Sequence, residues 1–122
     1  MRQPSINMKS KTEELSVIQK THDLIQWMVP MINKLPRDHK FTLGDRITSN
    51  LYLLLETLLK ARYSSEKKDE LKQANLCLDI QREQLKILMG FNLIDSRRFL
   101  HASELINHVG VEIGGWLRQQ KS

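Results

Sequence analysis

The chain has 122 residues, 40% hydrophobic and 27% charged, with only 5 glycines and 3 prolines, which suits one mostly helical globular domain and excludes a disordered one. With 19 basic against 14 acidic residues the formal net charge is +5, a balance that suits an anionic partner such as nucleic acid without demanding one. No apolar run approaches the ~20 residues of a membrane span, the charged first residues lack the apolar stretch of a signal peptide, and a lone Cys77 excludes an intrachain disulfide; a cytoplasmic protein with no membrane contact is expected.

Residues 1–15 read as a flexible basic leader, polar over its first twelve positions and carrying Pro4, Lys9 and Lys11, and residues 16–120 as the folded domain. Ser16 and Gln19 form a possible capping box for the first helix, with Thr12 as an earlier start. Ile18, Thr21, Ile25, Met28, Ile32 and Leu35 then recur at three-four spacing. Pro30 falls inside that stripe and leaves the Gln26 carbonyl without its amide partner, which predicts a kink or a local break. Leu35 to Thr42 is a connector stiffened by Pro36, with Arg37, His39 and Lys40 turned to solvent.

The second helix starts at Thr42, whose hydroxyl is placed to cap the amides beyond Leu43, and Asp45 favours its first turn through the helix dipole. Leu43, Ile47, Leu51, Leu54 and Leu58 form one apolar line, with Tyr52, Leu55 and Leu59 beside it. Ser65 is the expected cap of the third helix, along which Leu71, Ala74, Leu78, Leu85 and Met89 keep the stripe. Arg82 breaks it where an aliphatic residue is expected, and Lys86 follows one turn later. Gly90 to Asp95 is a turn, and Asp95 or Ser96 caps a fourth helix lined by Phe99, Ala102, Ile106, Val109, Ile113 and Trp116. Gly110 and Gly114 each cost ~1 kcal/mol of helix propensity, so another backbone is expected close by, in a tight crossing or a subunit contact. Four helices on short connectors give an all-α, antiparallel up-down-up-down four-helix bundle.

Chemistry is sparse along this chain. His101, Glu104 and His108 share one helix face at i, i+3 and i+7, but the spacing is neither HExxH nor the Glu-x-x-His of di-iron bundles, so a solvated face is expected and a metal or small-ligand bundle is the weaker alternative. Walker loops, GxGxxG and GxSxG elbows are absent, and Cys77 lies in an apolar segment; no enzyme, cofactor or metal is expected. Arg37, Lys40, Arg46, Arg82, Lys86, Arg97 and Arg98, with His39 as a further donor, are the candidate phosphate contacts. Asp38, Asp79 and Glu83 are positioned to pair with some of them instead. The tryptophans and tyrosines are too scattered for an aromatic ladder, so the contact is expected to be electrostatic.

Four segments also carry a family likeness. Val17 to Ile47 (VIQKTHDLIQWMVPMINKLPRDHKFTLGDRI), Leu54 to Tyr63 (LLETLLKARY), Gln81 to Asp95 (QREQLKILMGFNLID) and Val109 to Gln120 (VGVEIGGWLRQQ) resemble, in order and spacing, the accessory variability determinant (Avd) proteins of diversity-generating retroelements. These are similar to helical proteins of ribosomal RNA intervening sequences, and an intervening-sequence bundle without a polymerase partner is the alternative. The resemblance implies a homo-oligomer, a pentameric ring with a basic surface, that associates with the retroelement's reverse transcriptase and binds RNA or DNA in support of mutagenic copying. It also implies basic residues one turn apart on the third helix, where Arg82 and Lys86 stand. Lysine in the second place keeps the charge and loses the bidentate geometry of arginine.

Overall fold

The computed structural model describes residues 4–120, with side chains from Thr12 onward, and it is all-helical. Five helices follow in order: α1 (Pro4–Asn33), α2 (Arg37–Lys40), α3 (Leu43–Tyr63), α4 (Lys68–Gly90) and α5 (Ser96–Arg118). The long helices pack in a closed cycle, α1 on α3, α3 on α4, α4 on α5 and α5 back on α1, while the single turn of α2 rests on α3. Among the described residues no helix is long and apolar enough to cross a membrane.

The apolar stripes read from the sequence meet in one core. Leu24, Met28 and Ile32 of α1, Ile47, Leu51, Leu54 and Leu58 of α3, Leu71, Leu78 and Leu88 of α4, and Ile106 and Ile113 of α5 are all at most 2% exposed. Burying such a side chain stabilises the fold by about 1.5–3 kcal/mol each, far more than helix propensity supplies. Polar groups drawn into this core find partners nearby. The Thr21 hydroxyl donates to the Val17 carbonyl at 2.8 Å, and Asn50 Nδ2 donates across the α3–α4 seam to the Cys77 carbonyl at 2.8 Å. Cys77 is buried, and the loss of water around it pushes its thiol pKa up, which keeps it protonated and unreactive.

Several local expectations are corrected. Of the leader expected over residues 1–15, residues 1–3 lie outside the described ones, and from Pro4 the backbone is already helical. A proline in the first turn forfeits no helical bond, and no glycine or further proline interrupts the chain before Pro30. Ser16 therefore lies inside α1, and its hydroxyl donates to Glu112 of α5 at 3.2 Å instead of capping. The helix also runs through Pro30 to Asn33 without a break. Gln26, whose carbonyl the proline frees, is exposed, and water can take the place of the missing amide.

Helix ends differ as well. The Thr42 hydroxyl does not cap α3; it donates backward to the carbonyls of Asp38 at 3.1 Å and His39 at 3.4 Å, closing α2. Ser65 does not cap α4, because Lys67 occupies the cap position and no side chain bonds there. Lys67 instead sends its ammonium back to the carbonyls of Ala61, Arg62 and Ser64 at 2.8, 2.9 and 3.0 Å, satisfying the end of α3 with a cation where the helix dipole favours one. Asp95 behaves as expected, accepting from the Arg98 amide at 2.8 Å. The α4–α5 turn is set by Asn92 at φ 58, with Asn92 and Leu93 amides donating to the Met89 and Leu88 carbonyls, a Schellman ending in which asparagine takes the left-handed position.

Candidate nucleic-acid interface

The short connectors decide where the cations go. α1 ends, α3 begins, α4 ends and α5 begins at one extremity of the molecule, and α2 lies across it. The His39 and Phe91 rings meet at 5.0 Å there, and Lys34, Leu35 and Pro36 share a hollow with Leu93, Ile94 and Arg98. The turn of α2 is held by the His39 and Lys40 amides donating to the Pro36 carbonyl at 2.9 and 2.8 Å. Gly44 makes this packing possible: a Cβ there would stand 3.1 Å from Ile32 Cγ2 and 3.3 Å from the His39 carbonyl oxygen, tighter than most real contacts.

Arg37 and Arg46 are exposed at this end, His39 and Lys40 are half-buried, and Arg97 and Arg98 open α5 beside them. Among the described residues Arg37, Arg46 and Arg97 have no ion-pair partner; Lys40 lies over the Phe41 ring at 5.4 Å. Arg98 pairs with Asp95 at 3.3 Å, and Lys86 with Glu83 at 3.0 Å. Both are exposed i, i+3 pairs, worth about 0.2–1 kcal/mol and readily exchanged for a phosphate. Six of the eight candidates, on α2, at the start of α3 and at the start of α5, thus converge on one end, and Lys86 stands one turn below it.

Arg82 stands apart from this group. It lies about two turns from the end of α4, where Nη1 bonds Asp79 at 2.9 Å and Nη2 bonds Asn107 of α5 at 3.3 Å. Its Nη2 would also sit 3.1 Å from a Cβ on Gly110, with Leu78 Cδ1 at 3.5 Å. The neighbour that Gly110 accommodates is therefore this guanidinium, where another backbone was expected; among the described residues Gly114 faces the Arg118 guanidinium of its own helix, at 3.5 Å. The stripe-breaking residue is a link between α4 and α5.

His101, Glu104 and His108 are exposed along α5, and among the described residues no group of three such side chains comes within reach of one metal ion. His101 meets a residue that the sequence reading set aside. Its ring lies 4.9 Å from that of Trp27 on α1, at an interplanar angle of 59°. Trp27 lines two adjoining hollows, one of about 650 Å³ with Arg97, Arg98 and His101, the other of about 400 Å³ with Lys34, Pro30 and Pro36. Trp27 and Lys34 are one heptad apart and so share a face of α1, but their meeting with His101 joins residues far apart in sequence and leaves no periodic trace.

A further feature lies on the opposite flank. Leu53 on α3 and Leu76, Ile80 and Ile87 on α4 are large apolar side chains left 40–49% exposed, along the seam where Gln81 is buried. The Oε1 of Gln81 has no hydrogen-bond partner among the described residues, while its Nε2 donates to Gln84 at 2.9 Å. A search of curated proteins finds no match to the chain. A family model described as bAvd-like matches residues 15–120, which takes in α1 from Leu15 onward, α2 to α5 and every candidate contact.

Proposed function

The chain belongs to the bAvd-like family, and from that premise we propose that it is a non-catalytic accessory protein of a bacterial diversity-generating retroelement, holding the reverse transcriptase and nucleic acid together during mutagenic copying. The observation that supports nucleic-acid binding is the gathering of Arg37, Arg46 and Arg97 at one end without ion-pair partners among the described residues, beside His39, Lys40 and Arg98. Unneutralised guanidinium groups on rigid helices are ready phosphate ligands and need no displacement of an internal partner. Arg82 and Lys86 add charge on the α4 flank. In this reading the four long helices form an antiparallel four-helix bundle, and copies of it join into a pentameric ring in the cytoplasm. The exposed Leu53, Leu76, Ile80 and Ile87 support that association, since a row of aliphatic side chains at a seam gains by being covered.

The test is binding of an RNA strand and an RNA–DNA hybrid across a salt series. Affinity should fall steeply and log-linearly with salt, and no detectable binding even at low salt would sink the proposal. Copurification with a reverse transcriptase encoded beside the gene, together with the mass of the free protein in solution, checks the partner and the ring.

A further inference from the structure

We infer that the groove between α1 and the start of α5 is a seat for an unpaired nucleobase, with Trp27 and His101 as its ring platform and Lys34, Arg97 and Arg98 holding the flanking phosphates. The inference rests on the nucleic-acid reading above and deepens it, because it assigns single-stranded specificity to one place in the fold.

Three observations point the same way. The two hollows that meet at Trp27 have volumes of about 650 and 400 Å³, within the ~300–1,000 Å³ range of small-ligand sites, and they share both Trp27 and Arg98. Their walls are apolar where a base would lie: Leu100 is 62% exposed in the first, and Pro30 and Pro36 line the second. Every base has a flat π face, so an indole backed by an imidazole accepts any of them without reading an edge. A duplex keeps its bases stacked inside and cannot use the platform.

Charge sorts the possible occupants. Lys34 and Arg97 have no ion-pair partner among the described residues, and Arg98 is paired with Asp95. The acids that face the groove are Asp95 and Glu104. Asp95 is committed to capping α5 and to Arg98, which leaves Glu104 as the acid of the first hollow that opposes a phosphate. A strand whose phosphates pass Lys34 and Arg97 fits this distribution; a polymerase peptide docked through apolar contact would not require the cations.

The experiment uses the full chain with a labelled 12-nucleotide single-stranded RNA and a duplex of equal length, read by anisotropy at low salt. Trp27→Ala should weaken single-strand binding about tenfold and change duplex binding less than twofold, and Trp27→Phe should restore it. The RNA strand should also quench tryptophan emission in the parent and not in Trp27→Phe, where only the buried Trp116, 4% exposed, remains. Should Trp27→Ala disturb the fold, His101→Ala, a change at an exposed position of α5, removes the other ring of the platform and provides the same selective loss. Equal losses for strand and duplex, or unchanged strand affinity in Trp27→Ala, overturn the inference while leaving the general nucleic-acid reading intact. Absence of binding in the parent protein removes both. Loss of reverse transcriptase copurification with strand affinity intact makes the groove a protein dock and also overturns it.

Discussion

The two ends of this molecule carry equal numbers of basic side chains and use them differently. At the α2 end, residues 34–46 and 83–98 contain seven lysines and arginines against four acids; at the other, residues 12–20, 56–72 and 112–120 contain seven against seven. The far end ties three of its seven cations internally, and its other four, Lys60, Lys68, Lys72 and Arg118, stand among as many acids as there are bases. Lys67 is bonded to three carbonyls, Arg62 pairs with Glu14 at 3.7 Å and lies over the Tyr63 ring at 5.4 Å, and Lys20 bridges to Glu112 at 3.0 Å. At the α2 end the strongest ties are exposed pairs one turn apart, and three arginines have none among the described residues. A net charge of +5 is thus uninformative until it is known which charges the fold has already used.

The sharpest way to break this contrast is to remove the unspent charges. Changing Arg37, Arg46 and Arg97 together to alanine should lower affinity for RNA of order a hundredfold at 0.1 M salt and flatten the salt slope by about 2–3, with thermal stability almost unchanged. A comparable loss on replacing Lys60, Lys68 and Lys72 would erase the distinction between the ends. Next in size is Lys67→Met. It leaves three carbonyls at the end of α3 without their charged donor and should cost about 1–3 kcal/mol in urea unfolding, with RNA affinity held. A drop in affinity without a drop in stability would place Lys67 in the interface. The smallest effect is expected for Arg82→Ala: about 0.2–1 kcal/mol of stability from the lost Asp79 pair, and RNA affinity within a few-fold of the parent. A tenfold loss there would return the main contact to the middle of α4.

Much of the architecture is legible in the sequence because burial repeats with the helical period. The main stripes of α3, α4 and α5 predict most of their buried residues, whereas Tyr52 and Leu59, in the line beside that of α3, are exposed because the core takes only one side of the helix; Asp95 announces the start of α5 through a bond to an amide three residues away. What the sequence hides is chemistry joining residues that lie far apart, or bonds that run backward. Thr42 has the composition of a cap and bonds the preceding turn; Lys67 looks like a surface cation and closes the helix before it. Ser16 is drawn to Glu112, and Gly110 answers to Arg82, a side chain on another helix. The candidate interface was half legible: charge and position named its residues, while their gathering at one end depends on connector lengths. Trp27 and His101 could not be matched by spacing at all.

The seam between the first and last helices joins Ser16 to Glu112, 96 residues apart, whereas Asn50 and Cys77, joined across the α3–α4 hairpin, are 27 apart. Loop-closure entropy grows only with the logarithm of that separation, so the longer closure costs about 1 kcal/mol more than the shorter. The chain can therefore place a groove between its first and last helices, at an entropic cost that a single extra buried aliphatic side chain offsets.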